Sequence, residues 1–253
     1  MEAMEERYSL YDRYAWFWNK YWGRTFALKT LPVMKQKLLS ELPPGALILD
    51  VCCGTGQLAQ HMTRDGFQFS GIDGSEEMIR LARNNCPAGE FKVGDIRSPF
   101  GFPVLFDAAC SFFDSLNHIT CPNELQAVFI NINHSLHAGG YFLFDLNMEE
   151  GYRQRWNNQT FHIIQNDHVY LDRMNYNDAK QTGVNHITIF MLSNQWERLD
   201  IQIVERCYSR DEIIRLLMNA GFSEIEMWEA SDAFGLHDEY GRYYIRCRKQ
   251  AEA

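Results

Sequence analysis

Several features that would assign a chain to a special class are missing from this sequence. Its seven cysteines are an odd number and include no Cys-x-x-Cys pair, which argues against a disulfide framework and against a zinc site. No uninterrupted apolar run is long enough to span a bilayer, and no low-complexity tract or internal repeat is present. We therefore expect a globular protein with no bound metal and no membrane partner.

Basic residues are also in the minority. The chain has 24 Lys and Arg residues against 33 Asp and Glu residues, which gives a formal net charge of −9. A surface of that sign repels a phosphate backbone, so we expect no nucleic-acid partner. The cluster of Arg242, Arg246, Arg248 and Lys249 predicts only a solvated edge strand. The acidic N-terminus lacks the apolar core of a secretory signal, which predicts a cytoplasmic protein.

Strand and helix patterns alternate along the first part of the chain. A helix is predicted after the N-cap Ser75, and another runs from Pro122 until Gly139-Gly140 stops it. A capping box at Ser209 starts a late helix. The alternation predicts an α/β fold with a Rossmann-like, seven-stranded, doubly wound sheet in a chain of 253 residues. Short apolar runs place its strands at 46–51, 67–72, 91–93, 106–110, 141–145, 222–228 and 240–247.

The pattern changes after the fifth strand. Residues 158–207 alternate between apolar and polar types, with a polar, turn-like stretch at 172–178, and predict three or four antiparallel strands. We expect residues 151–207 to form a small inserted roof that selects the substrate, because insertions on α/β scaffolds commonly carry specificity. The main domain is then built from residues 1–150 and 208–253.

A glycine-rich turn follows the first strand. The segment Gly54-Thr-Gly56-Gln-Leu-Ala59 fits the G-x-G-x-x-G/A template, whose glycines let the backbone approach a ligand closely. Asp73 ends the second strand, where a carboxylate can accept hydrogen bonds from ribose hydroxyls. NAD-binding proteins share both features. Asp50 favours S-adenosylmethionine (SAM) over NAD, because its carboxylate can face an ammonium group but would repel a pyrophosphate.

A third acidic residue follows the third strand. Asp95 can bond the amino group of an adenine, with Ile96 and Met78 as apolar walls, although an ordinary turn also explains an Asp at this point. The carboxyl ends of neighbouring parallel strands share one edge of the sheet. We therefore expect Asp50, Asp73 and Asp95 to converge on one crevice.

These motifs resemble those of the class I SAM-dependent methyltransferases over nearly the whole chain. Leu49–Gly56 is similar to motif I of that family, and the similarity continues through Gly71–Met78, Gly94-Asp95 and the segments 106–118, 139–145 and 208–222. The nearest group is the bacterial small-molecule methyltransferases with an antiparallel insertion after strand five, and sugar and amine N-methyltransferases are similar. That group often has Tyr-Asp where this chain has Trp18-Asn19.

The resemblance implies a set of SAM contacts. The methionine end would lie at the first strand, the ribose at the end of the second, the adenine after the third, and the sulfonium beside the fourth, under an aromatic lid from the N-terminal helix. The implied contacts are Tyr14, Trp18, Asp50, Gly54, Gly56, Asp73, Gly74, Met78, Asp95, Ile96 and Ser111.

The predicted activity is methyl transfer from SAM to a nucleophilic N or O atom of a small-molecule acceptor by in-line displacement, in which positioning does most of the work. Asp114 and His118 follow the fourth strand and are the candidate general bases, although His118 can also simply pack there. His134-x-x-His137 is explained by a helix end rather than by a metal. The alternatives are an NAD(P)-dependent oxidoreductase and a non-catalytic SAM-binding protein, and the chain is expected to be a monomer or a homodimer.

Overall fold

A seven-stranded sheet organises the fold in the computed structural model, which describes residues 4–251. The strand order is β10-β11-β5-β4-β1-β2-β3. Strand β11 runs antiparallel to both β10 and β5, and the remaining pairs of adjacent strands are parallel. This confirms the predicted α/β fold with a Rossmann-like, doubly wound sheet. The strands are β1 (Leu47–Val51), β2 (Gln68–Asp73), β3 (Glu90–Val93), β4 (Phe106–Ser111), β5 (Leu136–Asn147), β10 (Phe222–Glu229) and β11 (Arg242–Lys249).

Helices cover both faces of the sheet because its strands are apolar on both sides. In β1, Leu49 and Val51 join the core under α5 and α7, whereas Ile48 points to the opposite core under α2, α3 and α4. The helices are α1 (Met4–Phe17), α2 (Gly23–Lys37), α3 (Gln57–Arg64), α4 (Glu76–Asn85), α5 (Pro122–Ser135), α6 (Glu149–Arg155), α7 (Arg210–Asn219) and α8 (Ala230–Phe234).

The two predicted N-caps are confirmed. The Ser75 hydroxyl accepts a hydrogen bond from the Met78 amide at 3.1 Å at the start of α4. At the start of α7, the Ser209 hydroxyl accepts from the Glu212 amide at 3.2 Å. Each hydroxyl satisfies an amide that has no partner within its helix, so both helices begin directly after the predicted serine.

A second sheet of four antiparallel strands lies between α6 and α7 along the chain. Its order is β6-β7-β8-β9, with continuous register through the two long inner strands. The inner face of β9 presents Leu199, Ile201 and Ile203 to the core. The strands are β6 (Gln159–Ile164), β7 (His168–Asn177), β8 (Thr182–Leu192) and β9 (Trp196–Arg206).

Three local predictions are wrong. The stretch 172–178 is not a turn, because β7 continues to Asn177 and its polar residues pair with β8. Helix α5 ends at Ser135, so the Gly139-Gly140 pair lies inside β5 and does not stop the helix. The basic strand β11 is not an edge strand. It lies between β10 and β5, and its Arg242 is buried.

The N-terminal segment connects the two sheets. After α1 the chain makes a π-helical turn at Trp18–Trp22 before α2 begins. Tyr14 and Phe17 pack in one cluster with Met78 of α4 and with Tyr170 of the inserted sheet. The N-terminal helix therefore fills the space between the crevice edge of the large sheet and the inner face of the small one. Among the described helices, none is long and apolar enough to cross a membrane.

Candidate active site

A cavity of about 430 Å³ lies at the carboxyl ends of β1, β2 and β4, beneath the N-terminal helix and the inserted sheet. Asp50 lines a smaller cavity of about 50 Å³, which shares Trp18 and Gly54 with the larger one. Gly56, Asp95 and Ser111 are not among the residues that line either cavity. Nine residues singled out from the sequence line the larger cavity: Tyr14, Trp18, Gly54, Asp73, Gly74, Met78, Ile96, Asp114 and His118.

Asp73 anchors the glycine-rich turn. One of its carboxylate oxygens accepts a hydrogen bond from the Gly54 amide at 2.9 Å, and the other accepts from the Ser75 amide at 3.0 Å. Burial raises the pKa of this carboxyl group, and the backbone amides oppose that rise. A carboxylate oxygen can accept more than one hydrogen bond, so both oxygens keep capacity for hydroxyl donors in the cavity.

Gly56 allows helix α3 to pack closely against helix α4. It has a φ of +74°, and a Cβ there would lie 2.9 Å from the Cβ of Ala82, so a side chain would separate α3 from α4. The neighbouring Asn19 accepts hydrogen bonds from Gln57 and from Asn85, both at 2.7 Å. It therefore joins the π-helical turn to α3 and α4.

Asp50 is a buried carboxylate that faces the smaller cavity. It is 3% exposed, and the thiol of Cys110 lies 3.7 Å from Oδ1. Within the described part of the chain, no ion pair reaches it. Burial raises the pKa of Asp50 to about 8. A buried acid in this condition is suited to a cationic ligand, because an ammonium group would restore the charged form.

The carboxylate of Asp95 contacts Arg97 and does not line the cavity. Nε of Arg97 lies 2.7 Å from Asp95 Oδ1, and Nη2 donates to the Tyr8 hydroxyl at 2.8 Å. The Tyr8 ring lies against Gly74, where a Cβ would collide with it. Tyr8 and Ile96 line the cavity beside this network. The carboxylate of Asp95 therefore does not line the cavity itself. It orients Arg97, which contacts Tyr8, and Tyr8 lines the cavity.

The N-terminal helix is fixed to α4 by a residue that the sequence analysis missed. One oxygen of the Asp12 carboxylate accepts hydrogen bonds from the Ser75 hydroxyl at 2.5 Å and from the Glu77 amide at 3.0 Å. Tyr8 and Asp12 are four residues apart and lie on one face of α1. This spacing could have indicated that α1 presents a polar face to a neighbouring element. The aromatic residues on the same helix are, however, the more prominent pattern.

Asp114 belongs to a buried cluster of charges around Arg242. The guanidinium contacts Asp145 at 2.8 Å, Glu239 at 2.9 Å and Asp114 at 3.5 Å, and Asn147 donates to Asp114. Burial raises the pKa of Asp145 to about 6 against the pull of Arg242. Burial also acts on Glu239, but the two nearby arginines outweigh it and lower that pKa to about 2. Asp114 thus faces the cavity with its carboxylate already engaged.

His118 contacts both parts of the molecule. Its Nδ1 lies 2.6 Å from the Tyr11 hydroxyl, and its Nε2 lies 3.5 Å from Oε1 of Glu205, on β9 of the inserted sheet. The Tyr152 hydroxyl donates to Oε2 of Glu205 at 2.6 Å. Burial lowers the pKa of His118, whereas burial and Asp114 raise the pKa of Glu205.

Glu205 was missed from the sequence. It is separated from His118 by 87 positions and occupies an alternating strand whose inward and outward faces cannot be assigned without its partners. Ser111 is buried at the end of β4 and lines neither of the two cavities. The described residues include no group of three or more His, Cys, Asp or Glu side chains that could hold a metal ion.

The crevice, the glycine turn and the strand order together define a class I methyltransferase fold. The sequence model of the methyltransferase domain family matches residues 48–140. YqeM of Bacillus subtilis, a provisionally named methyltransferase, is 27% identical over 187 residues, which are 72% of this chain and 76% of YqeM. A Streptomyces venezuelae dTDP-3-amino-3,4,6-trideoxy-alpha-D-glucopyranose N,N-dimethyltransferase is 33% identical over 101 residues, 40% of this chain and 42% of that enzyme.

Solved structures show the same fold. An S-adenosylmethionine-dependent methyltransferase from Clostridium acetobutylicum superposes with a TM-score of 0.76 at 20% identity, covering 95% of this chain and 99% of that one. CalS10, a SAM-bound amino pentose methyltransferase from Micromonospora echinaspora, gives 0.69 at 18% identity, over 88% and 90% of the two chains. The chain is therefore similar to SAM-dependent methyltransferases in sequence over residues 48–140 and in fold over nearly its whole length. The oxidoreductase alternative is not favoured, since the matched domain is that of a methyltransferase.

Proposed function

We propose that the protein transfers a methyl group from SAM to a nucleophilic N or O atom of a small-molecule acceptor by in-line displacement. The observation that carries this proposal is the pair of carboxyl groups, buried Asp50 and half-buried Asp73, at the carboxyl ends of adjacent strands. Open α/β sheets bind their ligands at this edge. The larger cavity extends from there to the inserted sheet, which leaves room for a second substrate.

The cofactor end of the cavity would hold SAM through charge and close backbone approach. Asp50 would face the ammonium of the methionine moiety, Asp73 would accept hydrogen bonds from the ribose hydroxyls, and Gly54 and Gly74 would leave space for the cofactor. When bound, SAM supplies an electrophilic methyl group on a sulfonium. Tyr14 and Trp18 line the same cavity, and aromatic faces stabilise a cation by about 0.5–2 kcal/mol.

The acceptor end would carry the proton chemistry. The His118 imidazole, held by Tyr11 and next to Glu205, would receive the proton that an amine or hydroxyl nucleophile loses. The raised pKa of Glu205 makes its carboxylate a basic neighbour for that proton. Asp114 would act as a positioning residue, because its carboxylate is engaged with Arg242.

Nitrogen is the favoured nucleophile. The Streptomyces venezuelae relative is named as an N,N-dimethyltransferase of an amino sugar, and CalS10 is described as an amino pentose methyltransferase. We further propose that residues 151–207 act as the roof over the acceptor, that nucleic acid is not a substrate, and that the protein works in the cytoplasm as a monomer or a homodimer. The net charge of −9 supports the exclusion of nucleic acid.

Release of S-adenosylhomocysteine (SAH) from SAM, measured with sets of amines and alcohols as acceptors, tests the proposal. Turnover with an amine, lost in His118→Asn, is the expected result. Binding of SAM without turnover on any acceptor would support the non-catalytic alternative instead. Absence of SAM binding would contradict the proposal as a whole.

A further inference from the structure

Acidic side chains outnumber basic ones in the lining of the larger cavity. Its arginines, Arg155 and Arg242, are both committed to partners: Arg155 to Glu239 at 3.3 Å and to the Tyr240 carbonyl at 2.9 Å, and Arg242 to the buried cluster. Among the described lining residues, no further arginine or lysine is present to receive an anion. The carboxylates of the lining are Asp73, Asp114, Asp172, Glu205 and Glu239.

One of these carboxylates, Asp172, lies on the inner face of the inserted sheet and lacks a cation partner in the described structure. It is 7% exposed. Its Oδ2 accepts hydrogen bonds from the Tyr170 hydroxyl at 2.9 Å and from the Asn185 amide at 3.3 Å. Its Oδ1 is buried and accepts no hydrogen bond from residues 4–251. A buried carboxylate oxygen left in this state is costly unless a donor completes it.

Asn185 provides a second acceptor of the same kind. Its Nδ2 donates to Asp172, which fixes the orientation of the amide, and its Oδ1 is likewise buried without a partner among the described atoms. The strand register puts Asn185 opposite Met174, one inward-facing position from Asp172 along β7. Two unfilled acceptors therefore lie on neighbouring strands of a surface that lines the cavity.

Aromatic rings surround this pair. Phe161 is the direct cross-strand neighbour of Asp172, and the Tyr170 ring lies 6.3 Å from Phe161 and 6.4 Å from Trp22, centroid to centroid. All of these side chains line the cavity. A carboxylate beside aromatic faces is suited to an alkylammonium group, because the rings attract the cation and the acceptors take its N–H bonds.

We propose that Asp172 and Asn185 form an ammonium-binding subsite in the inserted sheet, which selects acceptors that carry a protonated amino group distinct from the atom that is methylated. The inference rests on the proposed function, since it concerns the acceptor of that reaction. Glu205 lies four positions further along the sheet than the row of Asp172, so the anchored group and the proton-accepting pair are at separate places. Acceptors that place a phosphate or carboxylate at the subsite are disfavoured.

Binding of matched probes to the SAH-loaded protein, followed by calorimetry, tests this subsite. Each probe set shares a skeleton and differs in one end group: butylamine, butanol and butanoate form one set, and 6-amino-6-deoxy-D-glucose, D-glucose and D-glucuronate form the other. The expected order is ammonium above hydroxyl above carboxylate. Asp172→Asn should weaken binding of the ammonium probe by about 10- to 100-fold, and Asn185→Ala by about 3- to 10-fold.

Asp200→Asn is the matched control, because Asp200 is an exposed carboxylate on the outer face of the same sheet. It should leave the probe affinities unchanged. Equal affinity within each set, preference for the carboxylate, failure of both amines to bind, or unchanged affinity in Asp172→Asn would overturn the subsite. SAH binding is measured first in every variant. Its absence in the wild-type protein would contradict the proposed function, whereas its persistence shows that the variants are folded and that a loss concerns the subsite alone.

Discussion

Nε2 of His118 lies 3.5 Å from Oε1 of Glu205, and this contact joins the large sheet to the inserted one. His118 follows β4 at the cavity, whereas Glu205 ends the last strand of the insertion. The imidazole has a lowered pKa and the carboxyl group a raised one. Burial disfavours the charged form of each group, so the two titrate as a coupled pair and not as independent sites.

Replacement of Glu205 by Gln should reduce kcat by about 10- to 100-fold, with little change in the SAM affinity. The rate should rise with pH in the wild-type protein, because the pair accepts a proton only when deprotonated. In the variant the acidic limb should move to lower pH, since burial lowers the pKa of His118 and its carboxylate neighbour is gone. The pH profile of kcat measures this. Glu197→Gln, at an exposed position of the same strand, is the control, and an unmoved acidic limb in Glu205→Gln would refute the proton-accepting role.

Asp50 should release a proton when SAM binds. Its pKa is about 8 in the protein without ligand, so the carboxyl group is protonated at about pH 6.5, where an α-amino group is fully charged. An ammonium facing the carboxyl group favours its ionised form, so about one proton should be released per SAM bound. Calorimetry in two buffers of different ionisation enthalpy gives the number. Tight binding without proton release would mean that Asp50 does not face the ammonium.

The same residue should limit stability. Because the folded-state pKa of Asp50 is raised from 3.8 to about 8, its contribution to stability is present below about pH 4 and is lost as the pH rises towards 8. Asp50→Asn cannot ionise and should therefore be more stable than the wild-type protein at pH 8, by up to about 5 kcal/mol, with the difference vanishing near pH 4. Urea unfolding of the ligand-free proteins measures this. A variant that is less stable at pH 8 would disagree with the burial of an uncompensated carboxyl group.

Arg242 should be essential for folding stability. Its replacement by Gln leaves Asp145 buried without its cation and removes one of the cations that pair with Glu239, at a cost of about 3–5 kcal/mol near neutral pH. The deficit should shrink as the pH falls, because the Asp145 carboxyl group then becomes neutral. Arg246→Gln provides the comparison on the same strand, since Arg246 pairs with partly exposed glutamates, and should cost at most about 1 kcal/mol. Equal losses in the two variants would contradict the buried cluster.

Gly74 and Tyr8 should be energetically coupled. A Cβ at Gly74 would collide with the Tyr8 ring, so Gly74→Ala should displace the N-terminal helix and weaken SAM binding by about tenfold. Tyr8→Ala removes the ring, so the two substitutions together should cost less than the sum of their separate effects. A double-mutant cycle on the SAM dissociation constant measures the coupling. Additive effects of the two substitutions on the SAM dissociation constant would show that the contact between the Tyr8 ring and Gly74 does not affect SAM binding.

The sequence predicted the large sheet well because its signals are local. The N-cap at Ser75, the glycine turn after β1 and the apolar strands depend on neighbours within a few residues. The stretch 172–178 differs for the opposite reason: its composition is turn-like, but its polar residues pair across β7 and β8, and Asp172 is buried. Glu205 and Tyr8 reach the cavity through contacts between distant segments, which no local pattern reports.

Arg242 shows the same difference. A strand rich in arginine near the end of a chain is usually solvated, and the prediction of an edge strand followed from that rule. The strand instead inserts between β10 and β5, where Arg242 meets carboxylates from three other segments. The pairing of a buried cation becomes visible only when the topology is known.

Calorimetric titration of the purified protein with SAM and with SAH, beside the variants Asp73→Asn and Asp12→Asn, tests the central claim most directly. Asp73 lines the cavity, whereas Asp12 caps the same α4 terminus from outside it. We predict binding of both ligands in the micromolar range, weakened by about 10- to 100-fold in Asp73→Asn and much less in Asp12→Asn. No binding of either ligand to the wild-type protein would contradict the assignment of this cavity to SAM.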